Sequence, residues 1–256
     1  MSKNFTFVDL FAGIGGFRLA LQNVGGECIG FSEIAPDAIH TYCANFHESE
    51  KSNLGDITKL KSLPPHDFMT AGVPCQSWSI AGKNLGFDDD RGQLWNDALF
   101  LLNKAQPKAF IFENVRGILS SKMPDGTTVP EEIRKRMDNL DYEVSQQLVC
   151  ASDYGVPQKR YRVLIIGIDR NLNSNDITRF DFTKLDELII KNKIPSEKNG
   201  TGDKLVVGEI LKDIDEPGEY WEYSKTTQDM IEKIGSCEHG KDGIEFFKNG
   251  VPLSKI

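Results

Sequence analysis

Residues Phe68-Met69-Thr70-Ala71-Gly72-Val73 read as a short buried strand, and the chain ends it at once with Pro74-Cys75-Gln76-Ser77-Trp78-Ser79. Pro74 has no N–H for a sheet ladder and forces Val73 into an extended conformation. Cys75 is thereby presented at the carboxyl end of a strand, the edge where open α/β sheets place their ligands. The polar, glycine-punctuated run from Ala81 to Gly92 reads as a mobile loop. A thiol at a strand end beside a closable loop suits a nucleophile. By position alone it equally suits a small buried hydrophobe.

Upstream, Thr6-Phe7-Val8-Asp9-Leu10-Phe11 is a β-branched and aromatic run followed by Ala12-Gly13-Ile14-Gly15-Gly16. Phe17, Ala20, Leu21 and Val24 then repeat with helical spacing, which predicts an amphipathic helix with those residues on its buried face. Strand, glycine turn and helix form a cradle in which the backbone can approach a ligand and the helix N-terminus favours negative charge. The G-x-G-G spacing is not the dinucleotide G-x-G-x-x-G, so a pyrophosphate is not the obvious ligand. Cys28 to Ser32 predicts a second strand ending in Glu33, where such units commonly bind ribose hydroxyls. Pro36 opens a helix carrying Ala38, Ile39, Tyr42 and Phe46, and Asp56 is a second acidic candidate for a nucleoside edge. Alone, either carboxylate would serve as a helix cap or a solvated charge.

Downstream, Leu94, Ala98, Leu101, Leu102 and Ala105 mark a helix, and Ala109 to Phe112 a buried strand ending in Glu113-Asn114-Val115. Glu113 therefore shares the sheet edge with Cys75. Met123 to Val129 predicts a turn-rich loop and Pro130 to Leu140 a helix. Two late strands, Tyr142 to Val149 and Tyr161 to Ile168, flank Gln158-Lys159-Arg160-Tyr161-Arg162, where Arg160 and Arg162 alternate onto one face. After Asp169 the chain becomes polar, with a linker over Pro195–Gly202 and short helices over Leu205–Ile214 and Thr227–Ile234.

Composition sets the bounds. The 256 residues are 39% hydrophobic and 27% charged, which fits one large α/β domain with a small appendage. No apolar run is long enough for a membrane span, and Met1 to Phe5 lacks a signal-peptide core, which points to a cytoplasmic protein. Five cysteines without a Cys-x-x-Cys pair argue against a zinc site or a disulfide framework, so no metal is expected. Cys28, Cys43 and Cys150 read as structural. The net charge of −8 and pI near 5.1 argue against a broad nucleic-acid footprint, yet leave room for the local patch at Lys159, Arg160 and Arg162.

Four blocks in order, Asp9-Leu10-Phe11-Ala12-Gly13-Ile14-Gly15-Gly16, Gly72-Val73-Pro74-Cys75-Gln76, Phe112-Glu113-Asn114-Val115 and Gln158-Lys159-Arg160-Tyr161-Arg162, with Glu33 and Gly55-Asp56 between them, resemble the DNA cytosine-5 methyltransferases of bacterial restriction–modification systems. The resemblance covers about two-thirds of the chain, from Phe5 to Ile168. It implies a Rossmann-like S-adenosylmethionine-dependent methyltransferase fold, a mixed, mostly parallel sheet with helices on both faces. By resemblance Cys75 adds to C6 of cytosine, Glu113 holds N3 and the exocyclic amine, Arg162 contacts the carbonyl, and Arg160 supports the site. C5 then takes the methyl group of S-adenosylmethionine, leaving S-adenosylhomocysteine. The implied cofactor residues are Asp9, Phe11, Ala12, Gly13, Ile14, Gly15 and Gly16 for the methionine part, Glu33 for the ribose and Asp56 for the adenine amine. Ile34, Ile57, Pro74 and Leu94 supply apolar walls. Gln76, Ser79, Lys83, Arg91, Asn114, Val115 and Gln158 are the implied contacts to a flipped-out base in duplex DNA.

The resemblance divides the chain into a catalytic and cofactor-binding domain, residues 1–170, and a hinge with the start of a target-recognition region, residues 171–256. Asn249-Gly250-Val251 does not match the family's last block, Gly-Asn-x-Val, beside the cofactor pocket. The expectation is a chain cut short, the larger half of a split enzyme completed by a second polypeptide, or an inactive remnant. On any of these, the chain alone methylates DNA poorly. The alternatives to DNA methylation are an RNA cytosine-5 methyltransferase on the same scaffold, whose relatives carry Pro-Pro-Cys where this chain has Val73-Pro74-Cys75, and a non-catalytic cofactor-binding protein.

Overall fold

A computed structural model describes residues 5–74, 93–123, 125–156, 158–172, 179–191, 236–240, 243–248 and 251–252. The chain divides into two compact units, Met1–Val149 with Tyr161–Lys184, and Cys150–Arg160 with Leu185–Ile256. The expected boundary at residue 170 thus falls inside the first unit.

The first unit is built on a six-stranded sheet in the order β2-β1-β3-β4-β6-β5. Its strands are β1 (Phe5–Leu10), β2 (Gly26–Ser32), β3 (Phe68–Gly72), β4 (Ala109–Val115), β5 (Tyr142–Cys150) and β6 (Tyr161–Asp169). The first four run parallel, and β6 is antiparallel to β4. The unit's helices are α1 (Gly16–Asn23), α2 (Pro36–Phe46), α3 (Gln93–Ala105) and α4 (Val129–Asp138); α5 (Thr183–Lys191) starts at the end of the first unit, and its residues from Leu185 on belong to the second.

Strand alternation sorts the core onto two faces. Val8, Leu10, Met69, Ala71, Phe110, Phe112, Val163 and Ile165 point to one face and pack with Trp95, Leu101 and Leu102 of α3 and Ile133 and Met137 of α4. Trp95 meets Phe112 edge-on at 5.8 Å. The opposite face carries Asp9 beside Phe31, which stacks on Tyr42 of α2 at 3.9 Å. Helices therefore cover both faces. A capping box between Thr128 and Glu131 starts α4, satisfying two helix donors at once.

Helix α1 departs from the expected pattern. Its buried residue is Arg18, while Leu19 and Val24 are exposed. The Arg18 guanidinium lies over the rings of Phe46 and Tyr42, 4.5 and 5.2 Å from their centroids, and pairs with Glu48 at 2.8 Å. Ring faces and a carboxylate offset the desolvation that normally keeps arginine at a surface.

Among its described residues the second unit holds a 3-10 turn, Ala151–Tyr154, closed by a bond from the Gly155 N–H to the Ala151 carbonyl, while the Ala151 N–H donates to the Arg160 carbonyl at 2.9 Å. It also holds a three-stranded antiparallel sheet, β7 (Ser236–Gly240), β8 (Gly243–Lys248) and β9 (Val251–Pro252), which the sequence reading did not anticipate. The loop expected at Ala81–Gly92, the linker at Pro195–Gly202 and the helices at Leu205–Ile214 and Thr227–Ile234 lie outside the described residues. Among the described residues, no helix is long and apolar enough to cross a membrane.

Candidate active site

The carboxyl edge of the sheet carries a pocket of about 230 Å³. Phe11 enters it from the end of β1, and Ser32, Glu33 and Ile34 from the end of β2. Asp56 and Ile57 line it from a one-turn 3-10 helix, Gly72 and Pro74 from the end of β3, and Leu94 from α3. Seven of these nine were expected at a cofactor site. Ser32 and Gly72 were not, although both stand at strand ends on the edge where ligands collect.

Each acidic residue is fixed by backbone. Glu33 Oε2 accepts from the Gly13 N–H at 2.9 Å, and Oε1 from the Ile34 and Ala35 N–H groups at 2.7 and 2.9 Å. The carboxylate thus ties the glycine turn to the end of β2. Asp56 caps its turn, its Oδ1 accepting from Thr58 N–H and Oγ1 at 3.0 and 2.8 Å. These bonds hold its carboxyl below the usual range. Gly15, at φ 94 and with the Phe46 ring where a Cβ would stand, lets the turn feed into α1. Phe11 holds a left-handed φ of 52 without being glycine.

Asp9 and Ala12, expected to touch the cofactor, are buried and do not line the pocket. The Asp9 carboxyl is fully buried, with Oδ1 accepting from Thr70 Oγ1 at 2.7 Å and Oδ2 lacking a partner. Burial pushes its pKa up to about 7, against the opposing pull of Thr70 and Arg18. Gly13, Ile14, Gly15 and Gly16 form the turn behind Phe11 without lining the pocket.

Glu113 stands beside Gly72 in the β3–β4 register, at the pocket's rim. Its Oε1 pairs with Arg162 Nε at 2.5 Å, and both side chains are about one-quarter exposed. Arg162 begins β6, and because β6 runs against β4, that beginning meets the carboxyl edge opposite Val115. Asn114 points the other way and is buried. Its Nδ2 donates to the Val73 carbonyl at 3.2 Å and its Oδ1 accepts from Val115 N–H at 2.8 Å. Asn114 was expected at the substrate; alternation along β4 instead makes it a tie between β4 and the residue before Pro74. Gln158 and Arg160 belong to the second unit, and Cys75, Gln76, Ser79, Lys83 and Arg91 lie outside the described residues.

The fold is shared with solved methyltransferases. The Dnmt2 methyltransferase of S. pombe matches it with a TM-score of 0.62 over 88% of this chain and 66% of its own, at 19% identity. The methyltransferase EhMeth of Entamoeba histolytica matches with a TM-score of 0.53 over 70% and 57%, at 18% identity. The chain belongs to the C-5 cytosine-specific DNA methylase family, whose profile matches residues 5–250. It is 46% identical to the type II methyltransferase M.HgiCII of Herpetosiphon aurantiacus over 219 residues, 80% of this chain and 49% of that protein. To M.HhaI of Haemophilus parahaemolyticus it is 42% identical over 184 residues, 71% and 54% respectively. The chain thus spans about half the length of these curated relatives.

Proposed function

We propose that this protein transfers a methyl group from S-adenosylmethionine to C5 of a cytosine in duplex DNA, through a transient bond between Cys75 and C6. The observation that carries the reading is the register of Gly72 with Glu113, which puts a nucleoside-sized pocket and a carboxylate–arginine pair on one sheet edge.

The pocket's donor set fits the cofactor. A carboxylate offers about four acceptor positions; backbone N–H groups take three on Glu33, which leaves one for a ribose hydroxyl. Asp56 Oδ2, 3.5 Å from Lys59, has capacity for an exocyclic amine. Phe11, Ile34, Ile57, Pro74 and Leu94 supply apolar walls for a purine. When bound, the cofactor supplies an electrophilic methyl group on a sulfonium sulfur.

A base within a duplex cannot reach such a site, so the cytosine is extruded. The Cys75 thiolate adds to C6, which makes C5 enamine-like and able to form the new carbon–carbon bond. Glu113 holds N3 and the exocyclic amine, and a proton on its carboxyl offsets the charge that develops on the ring. To reach the cytosine carbonyl, Arg162 leaves Glu113, with Arg160 supporting it. The C5 proton then departs, and the sulfur leaves C6 with the electrons of its bond. Gln76, Ser79, Lys83, Arg91, Val115 and Gln158 contact the DNA, while Asp9 and Asn114 position the residues that do. Residues 1–170 form the catalytic part and 171–256 lead into target recognition.

Calorimetry with S-adenosylmethionine tests the first half of this reading, and binding is expected. With a relative's recognition region joined to the chain, labelled methyl should be recovered as 5-methylcytosine in duplex DNA, with transfer RNA run in parallel. Label confined to RNA, or transfer that survives Cys75→Ser, would overturn the assignment.

A further inference from the structure

Glycines in this fold have visible reasons. Gly15 combines a left-handed φ with the Phe46 ring against its α-carbon, and Gly167 leaves room for the Phe110 ring. Gly72 has neither. Its φ lies outside the left-handed region, so the backbone admits any residue. A Cβ built there would lie 3.6 Å from the Phe11 carbonyl oxygen and 3.9 Å from Glu113 Oε2, which is ordinary van der Waals contact. The fold would therefore accept alanine, yet the position is empty.

What the vacancy adjoins is informative. On one side is the Phe11 carbonyl, on the other the Glu113 carboxylate, and Gly72 itself lines the pocket at the end of β3. A carbonyl oxygen suits polarised C–H groups beside a positive centre, as in weak C–H···O contacts. A carboxylate suits the ring N–H and amine of a base. The space between them is a place where the contents of the pocket could meet a base held by Glu113.

We propose that Gly72 is the aperture of the site: its missing side chain keeps open the line along which the transferred methyl group faces the cytosine. This deepens the methyltransferase reading and rests on it. Gly72 touches no proton and carries no charge. It acts by leaving room, which a cofactor that carries the methyl needs and one that has lost it does not.

Calorimetric titration of wild type and Gly72→Ala with S-adenosylmethionine and S-adenosylhomocysteine tests this, with melting temperatures measured alongside. Gly72→Ala is expected to melt with wild type and to bind S-adenosylmethionine about tenfold more weakly, or about 1.4 kcal/mol, while its affinity for S-adenosylhomocysteine stays unchanged. Equal losses for both ligands would make Gly72 a wall of the pocket and overturn the aperture. So would no loss for either, or a variant that fails to fold. Wild-type protein that binds neither ligand would instead sink the cofactor reading, a failure visible before any variant is made.

Discussion

The two edges of the central sheet use the same chemistry to opposite ends. At the amino edge, Asp67 pairs with Lys108 at 2.7 Å and also accepts from the Thr6 N–H and hydroxyl at 2.9 and 3.1 Å. One carboxylate thereby ties the starts of β1, β3 and β4, and its bonds, that to Lys108 foremost, hold its pKa down to about 2. At the carboxyl edge, Glu113 pairs with Arg162 at 2.5 Å but faces a pocket and an unfilled space beside Gly72. An acid–base pair closed by three donors is a fastening. The same pair with room beside it can exchange partners.

Substitutions at the two edges should therefore separate turnover from stability. The largest effect is expected for Glu113→Gln. Methyl transfer should fall about a thousandfold, within the range for loss of a proton-transferring group, while S-adenosylmethionine affinity and melting temperature hold. Single-turnover kinetics with calorimetry would check this, and a drop in cofactor affinity of similar size would erase the contrast between the edges.

Asp9, between the edges, comes next. Its carboxyl is protonated more readily in the folded chain than in the unfolded one, so stability should fall as pH rises from about 4 to about 7 and level off above. The swing is on the order of 4 kcal/mol, and Asp9→Asn should flatten it. Urea denaturation across that pH range reads it directly, and an unchanged slope in the variant would mean that Asp9 is already ionised near pH 4.

Asn114→Ala should cost about 2 kcal/mol by leaving the buried Val73 carbonyl and Val115 N–H without partners. Turnover should fall as well, since Val73 leads into Pro74 and Cys75. A variant that loses stability alone would reduce Asn114 to a fastening of the amino-edge kind. The smallest effect is expected for Asp67→Asn, about 1 kcal/mol once solvent screening of the half-exposed pair is allowed for. That contribution is fully present above pH 4 and is lost as pH falls towards 2. Activity should be untouched, and any change in turnover would mean that the amino edge communicates with the site.

Much of this arrangement was legible in the chain. Alternating and β-branched runs marked β1, β3 and β4, and apolar spacing marked α3 and α4, because those elements bury their own residues against neighbours. Seven of the nine pocket residues stood at strand ends, where the α/β topology gathers them. The misreadings share a cause. Arg18 is buried by rings of α2 more than twenty residues away, which no local periodicity records. Asn114 adjoins Glu113 in sequence, but the pleat turns it to the opposite face. The small sheet of β7 to β9 is built from strands of five, six and two residues, too short to carry a clear alternation.

The left-handed backbone at Phe11 has one more consequence. A bulky residue at φ 52 costs about 1 kcal/mol that glycine would not. Glycine would relieve that strain but would give up the packing of the Phe11 ring against the core and add freedom to the unfolded chain, so the protein would be easier to melt. Phenylalanine places a ring on the pocket wall, while the turn of the backbone itself brings the carbonyl beside Gly72. Position 11 is thus a place where fold and site are tied together: Phe11→Gly should lose stability and cofactor affinity at once.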